Sequence, residues 1–417
     1  MAKPISTDQH EVGARAAPSP FRLPDIVKPV AYRLTIEPDF DTFTYSGVVE
    51  IDFNVCASVK EVVLNAADLN IAGASLQGIP AGISLDQNAE RLTITADRPL
   101  EAGAGSLTVR YSGTISETLR GFYRSSYVAV DGSRRWLAAT QFEATNARRA
   151  FPCFDEPAFK ATFELTIVVP QDRTAISNMQ AARRDGRRLT FAPTPVMSSY
   201  LLMFAIGEFE TIEAATTNGV PVRVHTVPGS TAFGRFALDV AVKGLAWFDA
   251  YYSIPYAQSV PKLDLVALPD FEAGGMENWG AITFREAAIF VDPETSSIPQ
   301  RRHVAQAVLH ELAHQWFGTL VTPEWWSYLW LNESFATFMA FKAMDALFPE
   351  WKVWEEYGRD RRDSADRAFC LRHVARARRG GNRQPEGRKS TGKSPKARSS
   401  SFAPTGRRLG PIGHSRA

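Results

Sequence analysis

The sequence predicts two folded domains, a β domain followed by an α+β domain, and two features of its 417 residues carry this prediction. Up to about residue 228, short runs alternate apolar and polar residues, as half-buried strands do. Beyond that point, apolar residues recur at helical spacing. We therefore expect an antiparallel, β-sandwich-like domain over residues 21–228 and an α+β domain over residues 229–370.

The clearest strand patterns lie in the first of these domains. The run from Val49 to Val55 alternates apolar with acidic or amide residues, and the run from Leu107 to Tyr111 alternates in the same way. Alternation of this kind buries one face of a strand. Many short strands separated by Gly, Pro and Asp are typical of a sandwich. Similar runs recur near 91–97, 161–170, 200–210 and 220–228.

Three helices are predicted in the second domain. Apolar residues recur at helical spacing from Phe233 to Tyr251. A second helix is expected from about residue 300 to 317, because Gly318 follows it in a position that favours a C-cap. The Thr-Pro-Glu run at 322–324 has the residues that favour a helix start, so we expect a third helix there.

Both ends of the sequence lack this periodicity. Residues 1–20 are predicted to be a disordered leader, and residues 371–417 a disordered basic tail. The tail holds ten Arg and three Lys against Glu386 alone, whereas the whole chain has a net charge of +2. Such a tail can be a solvated segment, the translation of another reading frame, or an arm for nucleic acid or another anionic surface. We expect one of the first two and therefore no nucleic-acid partner.

The composition also excludes several classes of protein. The N-terminus has no apolar signal segment, and no run approaches the roughly 18 apolar residues of a membrane span, so we expect a cytoplasmic chain with no membrane partner. The three cysteines, Cys56, Cys153 and Cys370, are too few and too widely spaced for a disulfide framework or a cysteine-based zinc site. A metal ion would therefore be bound by His and carboxylate side chains.

The most informative pattern is the pentapeptide His-Glu-Leu-Ala-His at residues 310–314. Because residues four apart share a helix face, His310 and His314 can both point at one metal ion. Glu333 follows on the next predicted helix, where a carboxylate could reach the same ion. Two His, one Glu and an open position are typical of a catalytic zinc site. Glu311 lies beside the ligands and could act as general base and then general acid.

A second pattern is the run Gly-Gly-Met-Glu-Asn-Trp-Gly at residues 274–280. The two glycines leave a backbone that a substrate can approach closely, and the carboxylate of Glu277 can pair with a cation. Alone this pattern is weak, since a Gly-Gly pair more often marks a turn.

Together these motifs resemble the aminopeptidase N family of zinc metallopeptidases, the gluzincins. The resemblance extends over about residues 20–365 and includes Gln-Phe-Glu-Ala-Thr at 141–145 and Phe-Pro-Cys-Phe-Asp-Glu-Pro at 151–157. It implies a partial thermolysin-like catalytic domain, one zinc ion per chain and peptide substrates with a free N-terminus.

The resemblance also implies a role for each site residue. Glu311 would be the general base, and Glu143 and Glu277 would hold the α-ammonium group of the substrate. Gln141 and Met276 would line the pocket for the first side chain. The implied zinc ligands are His310, His314 and Glu333, and the further implied substrate contacts are Gly274, Gly275 and Asn278.

One element of the family pattern has no counterpart here. The family carries a Tyr in a Tyr-x-Lys-Gly context, well after the third ligand, that stabilises the oxyanion, whereas the only Tyr after Glu333 is Tyr357 in Glu-Tyr-Gly-Arg. We therefore expect a truncated or frameshifted aminopeptidase with impaired activity, since losing an oxyanion donor costs about 10² to 10³ in rate.

Two alternatives stay open at this point. A catalytically inactive zinc- and peptide-binding fragment is favoured by the missing Tyr, but Glu311 argues against it, since a protein that only binds has no evident need of a base. A relative of the leukotriene A4 hydrolase branch, which opens an epoxide, would use the same zinc and carboxylates, and no residue selects it. The preferred N-terminal residue and the oligomeric state are not fixed by the sequence.

Overall fold

The computed structural model describes residues 21–355, so the predicted leader, the basic tail and the stretch 356–370 lie outside the described residues. Within them, a β-rich region precedes a region of mixed helices and strands, which confirms the predicted fold class. No helix among the described residues is long and apolar enough to cross a membrane.

The β-rich region contains fifteen of the described strands. Apolar residues alternate with polar ones along the longest of them, and burial follows the same alternation, as in β1 and β2. The strands are β1 Val27–Asp39, β2 Thr44–Val55, β3 Val59–Asn65, β4 Asn70–Leu76, β5 Ile79–Pro80, β6 Gly82–Asp86, β7 Arg91–Leu100, β8 Gly103–Thr114, β9 Gly121–Val128, β10 Arg134–Gln141, β11 Thr162–Val168, β12 Thr174–Ser177, β13 Ala181–Asp185, β14 Arg188–Phe191 and β15 Phe204–Gly207.

These strands form three sheets. The largest has the order β13-β14-β11-β1-β2-β8-β4-β5, a second has the order β12-β15-β10-β9, and a third has the order β3-β7-β6. All pairs are antiparallel except β1 with β11, which run parallel. An aromatic contact joins the first two sheets: the ring of Phe122 in β9 lies 5.1 Å from that of Tyr45 in β2. Sheets packed in this way are sandwich-like.

The second region is built on a five-stranded sheet of order β16-β17-β18-β20-β19. Every residue of its central strand β18 is buried, as expected of a strand with parallel neighbours on both sides. The remaining strands are β16 Glu210–Ala215, β17 Pro221–Thr226, β18 Leu263–Leu268, β19 Gly275–Met276 and β20 Ala281–Arg285, and the helices are α1 Arg235–Tyr252, α2 Glu286–Ile289, α3 Ile298–Ala313 and α4 Leu329–Leu347.

The predicted boundary at residues 228 and 229 divides this sheet. Strand β17 precedes that boundary, yet it pairs with β18 over Val222–His225, and β16 pairs with β17. We therefore propose a boundary between β15 and β16. The sequence misplaces it because strands of both regions alternate apolar and polar residues alike.

The end of one predicted helix and the start of another differ from those observed. Helix α3 ends at Ala313 and not at 317, because the next residues form a tight turn in which the amide of Thr319 donates to the carbonyl of His314. No helix begins at the Thr-Pro-Glu run: the hydroxyl of Thr322 donates back to the carbonyl of Gly318, and α4 begins at Leu329. Tertiary packing of the turn overrides the capping preference.

The core of the first region yields a prediction. Leu34 lies in β1, between two strands of the largest sheet, and is 1% exposed. Replacing Leu34 with Ala should lower the free energy of unfolding by about 2–5 kcal/mol, because a cavity is left among packed side chains. Lys28 is exposed on the same strand, and Lys28→Ala should change it by less than about 0.5 kcal/mol. Equal losses in urea unfolding would contradict this assignment of the core.

Candidate metal centre

Helices α3 and α4 bring three metal-ligating side chains together. The Nε2 atoms of His310 and His314 lie 3.0 Å apart. The carboxylate of Glu333 lies 3.3 Å from Nε2 of His310 and 3.7 Å from Nε2 of His314. The two imidazoles share one face at the C-terminal end of α3 because they are four residues apart, and Glu333 faces them from the second turn of α4.

Both imidazoles make a hydrogen bond through Nδ1, so their Nε2 atoms face the centre. Nδ1 of His314 lies 2.8 Å from the carbonyl oxygen of Phe317, which can only accept, so Nδ1 carries a proton and, in the neutral imidazole, Nε2 carries the lone pair. Nδ1 of His310 lies 3.2 Å from the hydroxyl of Thr337. This pattern is typical of metal-binding imidazoles, whose second nitrogen is held by a hydrogen bond.

The spacing of these donor atoms fits a metal ion. Donors of a tetrahedral zinc site, with bonds of about 2.0–2.1 Å, are separated by about 3.3 Å. The observed separations of 3.0, 3.3 and 3.7 Å bracket this value. A cation between these atoms would also offset the repulsion between two lone pairs and a carboxylate.

Glu311 lies on the side of α3 that faces strand β19. It is 7% exposed, and its Oε2 has no hydrogen-bond partner among residues 21–355. Burial raises the pKa of Glu311 well above its usual range, and the charges of Glu277 and Glu333 raise it further. A Cβ atom at Gly275 would overlap the carboxyl group of Glu311, so a side chain at this position would displace that group.

Two further carboxylates approach the centre. Oxygen atoms of Glu143, Glu277 and Glu333 all lie within 4.8 Å of one another. Glu143 comes from the loop after β10 in the β-rich region, and Glu277 from the hairpin between β19 and β20. Burial raises the pKa of Glu143 and of Glu277, and the neighbouring carboxylates add to the effect on Glu143. The cluster concentrates negative charge in a buried place.

The other predicted substrate contacts are not all placed where a substrate could reach them. The amide nitrogen of Gln141 lies 3.6 Å from the sulfur of Met276, so these two side chains meet beside the carboxylates. A Cβ at Gly274 would meet no described atom within 4 Å, which leaves that backbone open. The amide nitrogen of Asn278, by contrast, donates to the hydroxyl of Thr283 at 3.1 Å inside its own hairpin.

Three buried residues that the sequence analysis missed support this arrangement. Gln315 donates to the carbonyl of Glu277 at 3.1 Å, and Asn332 donates to its carboxylate at 3.3 Å. The hydroxyl of Tyr200 donates to the carbonyl of Gly318 at 3.1 Å, and burial followed by the charge of Glu277 raises the pKa of Tyr200. Of the three, only Gln315 could have been identified from the sequence, because it directly follows the predicted ligand His314.

Comparison with protein families is consistent with this geometry. Residues 28–201 match the Peptidase M1 N-terminal domain, and residues 236–378 match the Peptidase family M1 domain. The chain belongs to the peptidase M1 family. The predicted resemblance to the aminopeptidase N family is thereby confirmed, and the gap between the two M1 matches contains both the predicted boundary near residue 229 and the proposed one between β15 and β16.

Individual M1 relatives are similar over most of this chain. Aminopeptidase M1-C of Oryza sativa subsp. japonica is 44% identical over 343 residues, 81% of this chain and 39% of the relative. Aminopeptidase M1 of Arabidopsis thaliana is 42% identical over 349 residues, with the same coverage of each chain. The puromycin-sensitive aminopeptidase of Caenorhabditis elegans is 42% identical over 351 residues, 81% of this chain and 37% of the relative. The chain spans about two fifths of the length of these relatives.

The geometry of the centre predicts which residues a bound metal ion needs. Replacing His310 with Gln should abolish stoichiometric zinc binding, measured by metal analysis after dialysis, because one of three converging donors is lost. His303 lies on the same helix and is exposed, so His303→Gln is the matched control and should retain the metal.

The same experiment separates two possible positions of the ion. Glu277, Glu311 and His314 also have ligand atoms within 4.8 Å of one another, and an ion held by that group would survive the loss of His310. Retention of zinc by His310→Gln would therefore contradict our assignment.

Proposed function

We propose that this chain is the metal-binding part of a zinc aminopeptidase, which releases N-terminal residues from peptides. The observation that carries the proposal is the pair of carboxylates, Glu143 and Glu277, that lie beside the ligand Glu333. Such a pair is suited to an ammonium group next to the reacting bond. Because the chain spans about two fifths of its relatives, the activity of a whole enzyme stays part of this proposal.

His310, His314 and Glu333 would hold the zinc ion. Their donor set of two imidazoles and one carboxylate is typical of catalytic zinc. When bound, zinc would act as a Lewis acid that polarises the scissile carbonyl group and makes water more acidic. Nδ1 of His314 lies 3.9 Å from the carboxylate of Glu277, but its hydrogen is donated to the carbonyl of Phe317, so the imidazole offers Glu277 neither a hydrogen bond nor a lone pair for a shared ion. Glu277 is thereby left for the substrate.

Glu311 would move the protons of the reaction. A carboxylate beside the scissile bond can accept a proton from the attacking water and then donate it to the leaving amine. The raised pKa of Glu311, caused first by burial, suits a group that must accept and release a proton near neutral pH. No hydrogen-bond partner among the described residues engages its Oε2.

Glu143 and Glu277 would select substrates with a free N-terminus. The α-ammonium group is separated from the carbonyl carbon of its own residue by a single carbon atom, so an ammonium held between these carboxylates presents the first peptide bond to the centre. Glu333 is shared between the metal group and the carboxylate group, which keeps the two subsites close. The enzyme would therefore be an exopeptidase.

The hairpin strand β19 would place the substrate backbone. It is the edge strand of the five-stranded sheet, and edge strands can pair with an extended peptide. Gly274 and Gly275 present no side chains there. Gln141 and Met276, which contact each other, would line the pocket of the first side chain.

Turnover of a chromogenic substrate distinguishes an enzyme from a protein that only binds peptides. Replacing Glu311 with Gln should lower the turnover of leucyl-p-nitroanilide by about 10² to 10⁴, because proton transfer is lost, while one zinc ion per chain is retained. N-acetyl-leucyl-p-nitroanilide should not be cleaved by the unaltered chain, because it has no ammonium group.

Three outcomes would contradict the proposal in different ways. Zinc binding with no turnover by the unaltered chain would favour a catalytically inactive zinc- and peptide-binding fragment. Turnover that is equal with and without Glu311 would exclude its role as the base. Equal cleavage of the acetylated substrate would exclude selection of a free N-terminus.

A further inference from the structure

The turn that carries Glu277 is held by buried side chains from outside its motif. The amide of Ala281 donates to the carbonyl of Asn278, and Gly280 has a φ of +81°, a conformation that favours glycine. A Cβ atom at Gly280 would lie 2.5 Å from the carbonyl oxygen of Asn178, a residue of the β-rich region. The turn is therefore packed directly against the other region.

Lys262 lies at this contact and is 2% exposed. Its Nζ atom lies 2.7 Å from each of three acceptors: the carbonyl of Ser177, the carbonyl of Gly280 and Oδ2 of Asp264. An ammonium group has three N–H donors, whereas a neutral amine has two, so this geometry matches the charged form. A buried charge is tolerated when its donors are all satisfied and a counter-charge is present.

The three acceptors belong to three different parts of the structure. Ser177 ends β12, which pairs with β15, and β15 pairs with β10, the strand that leads to Glu143. Gly280 belongs to the turn of Glu277, and Asp264 belongs to the central strand β18. One ammonium group thus links the strands behind one carboxylate to the turn behind the other.

Nearby contacts act on the same turn from two sides. The amide of Asn178 donates to the carbonyl of Trp279 at 2.9 Å, from the β-rich region. The amide of Gly280 donates to Gln315 at 3.2 Å, from the end of α3. Although burial lowers the pKa of Lys262, the adjacent carboxylate of Asp264 opposes that effect.

We infer that Lys262 is a positioning residue for the N-terminal amine of the substrate: by joining Ser177 to Gly280, it sets the distance between the carboxylates of Glu143 and Glu277. It touches neither the substrate nor the metal ligands. This inference rests on the proposed function, because it concerns how the two carboxylates of that function are kept in place. Displacing one such group by about 1 Å can weaken its effect up to about 100-fold.

The test is equilibrium binding of leucinol and of 4-methylpentan-1-ol, the same molecule without its amine, to the zinc-loaded chain by calorimetry; neither has an amide bond that the chain could cleave. The unaltered chain should bind leucinol more tightly, and the ratio of the Kd of 4-methylpentan-1-ol to the Kd of leucinol measures recognition of the amine. Lys262→Met should lower that ratio about tenfold or more, with zinc content unchanged. The control is Thr190→Val, which removes a buried hydroxyl contact of 2.9 Å with Thr166 inside the largest sheet. It should leave the ratio unchanged.

A second variant covers the case in which Lys262→Met does not fold, since the buried Asp264 would then lose the ammonium group that lies 2.7 Å from it. Lys262→Met combined with Asp264→Asn removes both charges and should show the same loss of amine preference. A variant that folds, is less stable and keeps the ratio of the unaltered chain would overturn the inference, because Lys262 would then only stabilise the fold. If the unaltered chain itself shows no amine preference, the proposed function fails and not the role of Lys262 alone.

Discussion

The convergence of acceptor atoms between α3 and α4 is the constraint on which the rest of the site depends. Two imidazole nitrogens and a carboxylate lie within 3.7 Å of one another, and the hydrogen bond from His314 to Phe317 holds a proton on Nδ1, so that Nε2 faces the other two groups. A cation bound between these groups would offset their mutual repulsion. The turn after α3, which ends the helix at Ala313, places the carbonyl of Phe317 where it fixes that proton.

The carboxylates around this centre come from both regions, so the site exists only where the two regions pack against each other. Glu143 follows a strand of the β-rich region, while Glu277 lies in a hairpin of the second sheet. Their mutual repulsion favours any cation that enters between them, and a peptide N-terminus is such a cation. The buried contacts of Lys262, Asn178 and Gln315 oppose separation of the two regions at the place where the carboxylates meet. Selectivity for a free N-terminus would thus depend on how the two regions are packed together.

Much of this arrangement could be predicted from the sequence, but the buried residues that hold it in place could not. The spacing of His310 and His314 on a helix predicts that they meet, and the fold class was confirmed. Lys262 could not be identified, because its partners are backbone carbonyls such as that of Ser177, 85 residues away, which no residue type reveals. The end of α3 was misplaced for a similar reason, since hydrogen bonds of the following turn compete with the preference of Gly318 for a C-cap.

The most direct test is a crystal structure of the zinc-loaded chain with bound leucinol, which has the amine but no cleavable amide. We expect one anomalous zinc peak between His310, His314 and Glu333, with the amine nitrogen of leucinol within hydrogen-bonding distance of both Glu143 and Glu277. A zinc ion held instead by Glu277 and Glu311, or an amine that lies away from Glu143 and Glu277, would contradict it.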